Sequence, residues 1–298
     1  MFNIHFLPYW GVIVAIGLCY SRLQLGVVRM RVPAWAVLGA ICSLAALAFG
    51  PERGGISWQG LGWLIILAMT AVLYRFVPYE GPRKRWIKEG AFLLLLVISY
   101  QLLCNTLPGF GEAVVFADVI LGHSVFGSSL KLHFNQAIVG LLLFGVLVTP
   151  IRSWKELKTA LWYARYAPIL LTAVYAIGVM QWLSEDFKFN QYVAWYWLAN
   201  LFFVCIAEEA FFRVLIQRRL EGYIGGKGNE TIYLAAVITA VIYTITHYNP
   251  AIPIPEMPLV FLSGLVFGYV YAATRRIELS ILCHLFYNGI TMMVFVYP

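Results

Sequence analysis

Charge is scarce in this chain. Asp, Glu, Lys and Arg make up 12% of its 298 residues, whereas a soluble protein carries about 25%. Hydrophobic residues account for 61% of the sequence, and the mean hydropathy is +0.79. This composition excludes an ordinary soluble domain. Apolar stretches of about 17–25 residues recur along the whole length, as membrane-spanning helices require.

Paired cysteines and zinc motifs are also missing. The five cysteines stand singly in apolar runs with no CxxC pair, so we interpret them as small core residues. No HExxH spacing of a zinc helix occurs, and we see no internal repeat. The early apolar run has no basic start and no small-residue cleavage site. We therefore predict a retained first span rather than a signal peptide.

The apolar runs predict an all-α fold, a polytopic transmembrane helix bundle of about 8–10 spans. Segment 111–131 stays open as an outer loop, an interfacial helix or part of a re-entrant element. The ten candidate spans lie near residues 4–21, 33–50, 56–74, 90–110, 132–150, 161–183, 192–217, 231–248, 258–274 and 279–297.

The net charge of +7 is distributed unevenly between the two sides of these spans. Sixteen of the 21 Lys and Arg residues fall in the odd-numbered loops and three in the even-numbered loops. By the positive-inside rule the odd-numbered loops are cytoplasmic and both termini face outward. The charge thus orients a multi-pass protein in the cell (inner or plasma) membrane, with the lipid bilayer as partner and no nucleic acid.

Two adjacent carboxylates, Glu208 and Glu209, lie inside an apolar run with Arg213 four residues on. Such groups are costly at membrane depth and usually serve a function. On an α-helix Glu209 and Arg213 share a face, so we expect Arg213 to neutralise Glu209. Glu208 points about 100° away, which assigns it to chemistry and Glu209 mainly to structure. A structural ion-pair node is the alternative interpretation.

Further polar side chains follow in two later apolar runs. His247 ends one run, and His284 and Asn288 lie one helical turn apart in the other. Peptide hydrolysis needs a base that activates water and donors that stabilise an oxyanion. A carboxylate with a histidine supplies the base, and a histidine with an asparagine amide supplies two donors. Taken singly, the two histidines would be a helix-end and a core residue.

Three motifs carry a resemblance to a known family. In order they are EEAFFR (208–213), YTITH (243–247) and HLFYN (284–288). They resemble the EExxxR, FxxxH and HxxxN/B motifs of the CPBP family, which comprises CAAX-protease-like (Rce1-type) and bacteriocin-processing intramembrane endopeptidases. The resemblance covers roughly residues 150–298. Tyr243 stands where the family usually has Phe.

The resemblance implies a glutamate-dependent intramembrane protease with an active site enclosed within the membrane. Glu208 and His247 would activate the water, His284 and Asn288 would hold the oxyanion, and Glu209 and Arg213 would support them. Without an HExxH helix we favour a metal-free mechanism over zinc. The implied substrate is a membrane-associated protein or peptide that is cut near a terminus.

The domain prediction divides the chain at residues 111 and 149. Residues 1–111 form a four-span extension of unknown role, residues 112–149 an ambiguous segment with a linking span, and residues 150–298 the protease-like domain. Two alternatives remain, a proton-coupled transporter and a non-catalytic immunity or scaffold protein. A transporter predicts an inverted repeat or broken helices in matching halves, and a non-catalytic protein predicts decayed motifs.

The predicted topology raises one geometric difficulty. At 1.5 Å per residue, Glu208 and His284 lie about 12–15 Å from the cytoplasmic ends of their helices, and His247 lies about 24 Å along its own. They meet only if the eighth span starts inside the membrane, is steeply tilted, or is misplaced. The Pro-rich segment 248–258 is a candidate lid.

Overall fold

A computed structural model describes residues 4–27, 30–120, 127–181, 186–225, 228–248 and 257–295. Most of these residues are helical. The α-helices in chain order are α1 (Leu7–Leu18), α2 (Ala34–Phe49), α3 (Trp58–Phe76), α4 (Pro82–Leu103), α5 (Phe134–Leu147), α6 (Trp154–Tyr163), α7 (Ala167–Gln181), α8 (Gln191–Ala199), α9 (Ile206–Glu209), α10 (Arg218–Ile224), α11 (Asn229–Thr246), α12 (Met257–Thr274) and α13 (Ile277–Val294).

Each predicted span overlaps at least one of these helices, and the predicted all-α polytopic class is confirmed. Among the described residues five helices are long and apolar enough to cross a membrane: α3, α4, α11, α12 and α13. A sixth span results if α6 and α7, bent by 44°, are counted together. Helices α1, α2 and α5 are apolar but shorter.

Four short strands were not predicted. Strands β1 (Gln24–Val27) and β2 (Met30–Pro33) pair antiparallel, with Gln24 opposite Pro33. Strands β3 (Glu112–Ile120) and β4 (Gly127–His133) form a second two-stranded sheet. The segment that was left open at 111–131 is therefore β-structured in its described part, and it is not an interfacial helix there.

By their contacts the helices divide into two compact units. The first comprises residues 1–117, 129–149 and 202–211, and the second comprises residues 118–128, 150–201 and 212–298. This division follows packing and does not test the predicted functional domains, which stay a prediction.

In the first unit, the buried Tyr9 contacts three other segments of the chain. Its hydroxyl donates to the carbonyl oxygen of Gly54 at 2.5 Å, and its ring lies edge-on to Phe134 at 5.5 Å. Phe203 packs against the same ring at 5.7 Å. Because Tyr9 is 2% exposed, the hydrogen bond satisfies a hydroxyl that would otherwise be costly to bury.

In the second unit the end of α13 is fixed by a short extended segment. The backbone N–H groups of Asp186 and Lys188 donate to the carbonyl oxygens of Val294 and Met293, both at 2.7 Å. The Lys188 ammonium pairs with the Asp186 carboxylate at 3.1 Å and also donates to the carbonyl oxygen of Phe295. Both charged side chains are 1% exposed. This buried pair therefore holds the helix that carries two predicted site residues.

Lys188→Ala tests this pair. We expect a loss of about 3–5 kcal/mol of unfolding free energy, because the substitution leaves the Asp186 carboxylate buried without its partner. Unfolding in detergent measures the loss. Lys131→Ala is the matched control, since it breaks an ion pair with Glu112 whose side chains are 49% and 47% exposed and which is worth about 1 kcal/mol at most. Equal losses in the two variants would contradict a structural role for the buried pair.

Candidate active site

The stretch with the two glutamates is not a regular α-helix. It runs from α8 through a π-helical segment (Asn200–Cys205), α9, a second π-helical segment (Ala210–Gln217) and α10. Hydrogen bonds in π-helices connect residues five apart, and such segments frequently occur at functional sites. Arg213 lies in the second π-helical segment, so the α-helical spacing that we assumed between Glu209 and Arg213 is wrong. Their ion pair stays a prediction.

The surroundings of the glutamates in the first unit are tightly packed. Glu209 is 0% exposed, and Glu208 is partly exposed. A Cβ at Gly140 of α5 would lie 3.2 Å from the Ala207 nitrogen, so glycine allows this close approach. Tyr100 stacks on Phe211 at a ring distance of 6.2 Å. The stretch with the glutamates is thus held against α5 and α4.

Arg213, in the second unit, is completely buried. Its guanidinium donates to the carbonyl oxygen of Gly264 at 3.2 Å and to the side-chain oxygen of Gln217 at 3.4 Å. Gln217 in turn donates to the carbonyl oxygen of Gly268 at 3.1 Å. The side chain of Arg213 also lies over the ring of Tyr243 at 5.9 Å. Arg213 therefore joins α12 to α11.

The two glycines of α12 are required at this contact. A Cβ at Gly264 would lie 2.8 Å from Cδ1 of Tyr243, and a Cβ at Gly268 would lie 3.2 Å from the Arg213 guanidinium. The spacing is the small-xxx-small pattern that lets helices approach closely in membranes. The absence of side chains here leaves room for Tyr243 and for the hydrogen bonds of Arg213.

His247 forms the C-cap of α11, and one of its ring nitrogens has a defined partner. Its Nδ1 lies 2.8 Å from the carbonyl oxygen of Tyr243. Because a carbonyl oxygen only accepts, Nδ1 carries the proton, and Nε2 of the neutral ring is then an acceptor. The Tyr243 ring packs at 4.0 Å from the His247 ring. Both contacts use the backbone and ring of Tyr243, so replacement of the family's Phe leaves them in place.

His284 is enclosed in the middle of α13. It is 1% exposed and stacks on Phe267 with ring centroids 4.7 Å apart. Tyr243 lies edge-on to it at 6.2 Å. Tyr243 therefore contacts both histidines, and the last turn of α11 lies beside the middle of α13. The shared contact with Tyr243 brings the end of α11 near His284 despite the different positions of the two histidines along their helices.

Asn288 contacts a residue that the sequence analysis missed. Its Nδ2 donates to Oδ1 of Asn200 at 3.2 Å, and Asn200 is 5% exposed. The sequence signal that could have identified Asn200 is that it is a lone asparagine within the apolar run that precedes Glu208. In the second unit the structure thus places Tyr243 beside both His247 and His284, and Asn200 beside Asn288. The expected pairing of Glu208 with His247 stays a prediction.

The described residues offer no ready metal centre. Within the described ranges, no group of three or more His, Cys, Asp or Glu side chains is placed to hold a metal ion. The preference for a metal-free mechanism over zinc stays a prediction. The candidate lid at 248–258 falls mostly outside the described residues, which exclude 249–256.

Residues 190–290 match the family model of Rce1-like proteins, the type II CAAX prenyl endopeptidases. The CPBP resemblance is confirmed over this segment. The Rce1-like segment contains all six predicted site residues and Asn200. Neither the curated proteins nor the solved structures yield a match. The match over this segment supports a protease, and together with the apolar helices it supports a multi-pass membrane protein.

Gly264→Ala tests the packing of the Rce1-like segment. The added Cβ would meet Tyr243 at 2.8 Å and displace the ring that contacts both histidines. We expect a loss of about 1–3 kcal/mol in unfolding free energy, as for overpacked cores, with reduced activity. Gly62→Ala in α3 is the control, because nothing lies within 4 Å of its added Cβ. Wild-type stability and activity in Gly264→Ala would show that Tyr243 is not constrained by α12.

Proposed function

We propose that this protein is an intramembrane endopeptidase of the glutamic type, which hydrolyses a peptide bond near the terminus of a membrane-associated protein or peptide. The observation that carries the proposal is the family match over 190–290, which includes all three motifs with Tyr243 as their one departure. The family match supports a protease, and the roles of the glutamate and the histidines rest on the motif resemblance. Intact motifs disfavour the immunity or scaffold alternative.

Water activation is assigned to Glu208 and His247. Glu208 takes a proton from the water, and the hydroxide adds to the carbonyl carbon of the scissile bond. The Tyr243 carbonyl oxygen fixes the proton of His247 on Nδ1, which leaves Nε2 as an acceptor that orients the water. When the carbon–nitrogen bond breaks, Glu208 returns the proton to the leaving amine. The water adds one oxygen to the acid product, so the atoms balance.

Oxyanion stabilisation is assigned to His284 and Asn288. Both lie on α13, and the enclosure of His284 by Phe267 strengthens the electrostatic effect of any donor beside it. Removal of one such donor lowers kcat by about 10²–10³ in other proteases. Arg213 and Glu209 support the site. The guanidinium fixes α12 against α11 through Gly264.

The substrate that this family suggests is a protein tail with a prenylated C-terminal Cys-a-a-X sequence. A lipid-modified terminus of this kind is already at the bilayer, so it reaches a site between membrane helices without crossing the bulk solvent. We place the enzyme in the inner or plasma membrane, with the basic odd-numbered loops in the cytoplasm. The transporter alternative has no comparable support.

Glu208→Gln tests the proposed chemistry. The amide cannot accept the water proton, so we expect turnover to fall by at least about 10² while folding and expression persist. Membrane proteomes of cells with wild type and variant at equal abundance are compared for peptide termini that only the wild type produces. Such termini also identify the substrate.

The matched control is Glu230→Gln. Glu230 lies exposed in the first turn of α11, within the same family segment, and its substitution should leave the termini unchanged. Identical termini in wild type and Glu208→Gln, with the variant folded, would reject the protease mechanism and favour transport or immunity.

A further inference from the structure

The packing of α8 against α13 places Asn200 beside Asn288. Val193 of α8 and Met292 of α13 form one buried cluster. Trp197 lies edge-on to Phe286 at 5.6 Å. A Cβ at Gly289 would lie 2.3 Å from the Trp197 ring, so a larger residue would push the helices apart. The position directly after α8 is therefore fixed relative to the predicted oxyanion residue.

The hydrogen bond between the two asparagines gives the Asn288 amide a defined orientation. Asn288 Nδ2 donates to Asn200 Oδ1 at 3.2 Å. The terminal torsion of an asparagine side chain is broad and roughly two-fold, so packing alone does not distinguish its oxygen from its nitrogen. In this pair Asn200 presents its side-chain oxygen, so the NH₂ end of Asn288 is the end that faces Asn200.

This orientation matters for an oxyanion donor. The NH₂ group of Asn288 has two N–H bonds, and Asn200 accepts from one of them, which leaves the other for a substrate oxygen. If the amide were reversed, its carbonyl oxygen would face the developing negative charge and repel it. One hydrogen bond thus decides whether Asn288 stabilises or opposes the tetrahedral intermediate.

We propose that Asn200 is a positioning residue, which acts on catalysis by holding the Asn288 amide with its NH₂ group toward the substrate oxygen. The inference rests on the proposed protease function and goes beyond it, since Asn200 belongs to none of the three motifs. A buried polar side chain inside an apolar run is costly and usually serves a function. The burial of Asn200, which is 5% exposed, therefore supports a functional role.

Asn200→Leu tests the inference, because leucine keeps the approximate shape and removes the acceptor. We expect kcat to fall about tenfold, less than the 10²–10³ for removal of the donor itself, with KM unchanged. The assay follows cleavage of an internally quenched peptide ending in a farnesylated Cys-a-a-X sequence by the purified full-length protein in bilayer nanodiscs. Asn200→Asp, which keeps an acceptor oxygen, should retain more activity than Asn200→Leu.

A double-mutant cycle separates positioning from simple stability. If Asn200 acts through Asn288, then Asn200→Leu has no further effect on kcat in the Asn288→Ala background. Asn190→Ala is the matched control. Asn190 caps the other end of α8 by accepting from the Tyr192 and Val193 nitrogens, so its loss weakens α8 and should add independently to Asn288→Ala.

The outcomes distinguish this inference from the proposed function. Full activity of Asn200→Leu where Asn288→Ala is impaired, or additive losses in the double variant, would overturn the positioning role and leave the protease intact. If the wild type cleaves the peptide no faster than Glu208→Gln, both proposals fail for this substrate. Should Asn200→Leu not fold, the same cycle run with Asn200→Ala decides, because alanine also removes the acceptor and an additive loss again rejects positioning.

Discussion

The packing of the second unit depends on the hydrogen bonds of the buried Arg213 guanidinium. A charge without water around it must be satisfied by the protein, and the partners described here are the Gly264 carbonyl oxygen and the side chain of Gln217. Glycine at 264 also keeps this contact open, because an added Cβ there would lie 2.8 Å from the Tyr243 ring. The same glycine admits the ring of Tyr243. The arginine, the glycine and the tyrosine therefore form a single packing arrangement.

Tyr243 also contacts both histidines, which have different environments. His247 ends its helix, is half-buried and has its Nδ1 proton fixed by the Tyr243 carbonyl oxygen. His284 is enclosed and stacked on Phe267. A partly accessible imidazole suits contact with water, and an enclosed one suits a fixed donor. These surroundings agree with the division of roles that the motif resemblance implies.

The sequence predicts helices well here because spanning segments need long apolar runs. It marks candidate site residues, because a carboxylate or imidazole in such a run is costly and stands out, and their roles stay a prediction. It does not predict which turns of two apolar helices lie side by side, so it gives no sign that Tyr243 near the end of α11 packs beside His284 in the middle of α13. The π-helical segments around Glu208 and Glu209 were missed for a similar reason. They depend on packing, and no residue pattern marks them.

The three motifs do not include Asn200 or the N-terminal helices, although both pack beside parts of the motif-bearing segments. The family segment begins at residue 190, yet the stretch 202–211 with both glutamates packs in the first unit. Its neighbours there are Gly140 of α5, Tyr9 of α1 and Tyr100 of α4. A completely buried Glu209 needs an enclosing wall, and helices from outside the family segment supply part of it. The motifs therefore mark the candidate site residues, while helices α1, α4 and α5, which carry no recognisable chemistry, pack around the stretch that holds both glutamates.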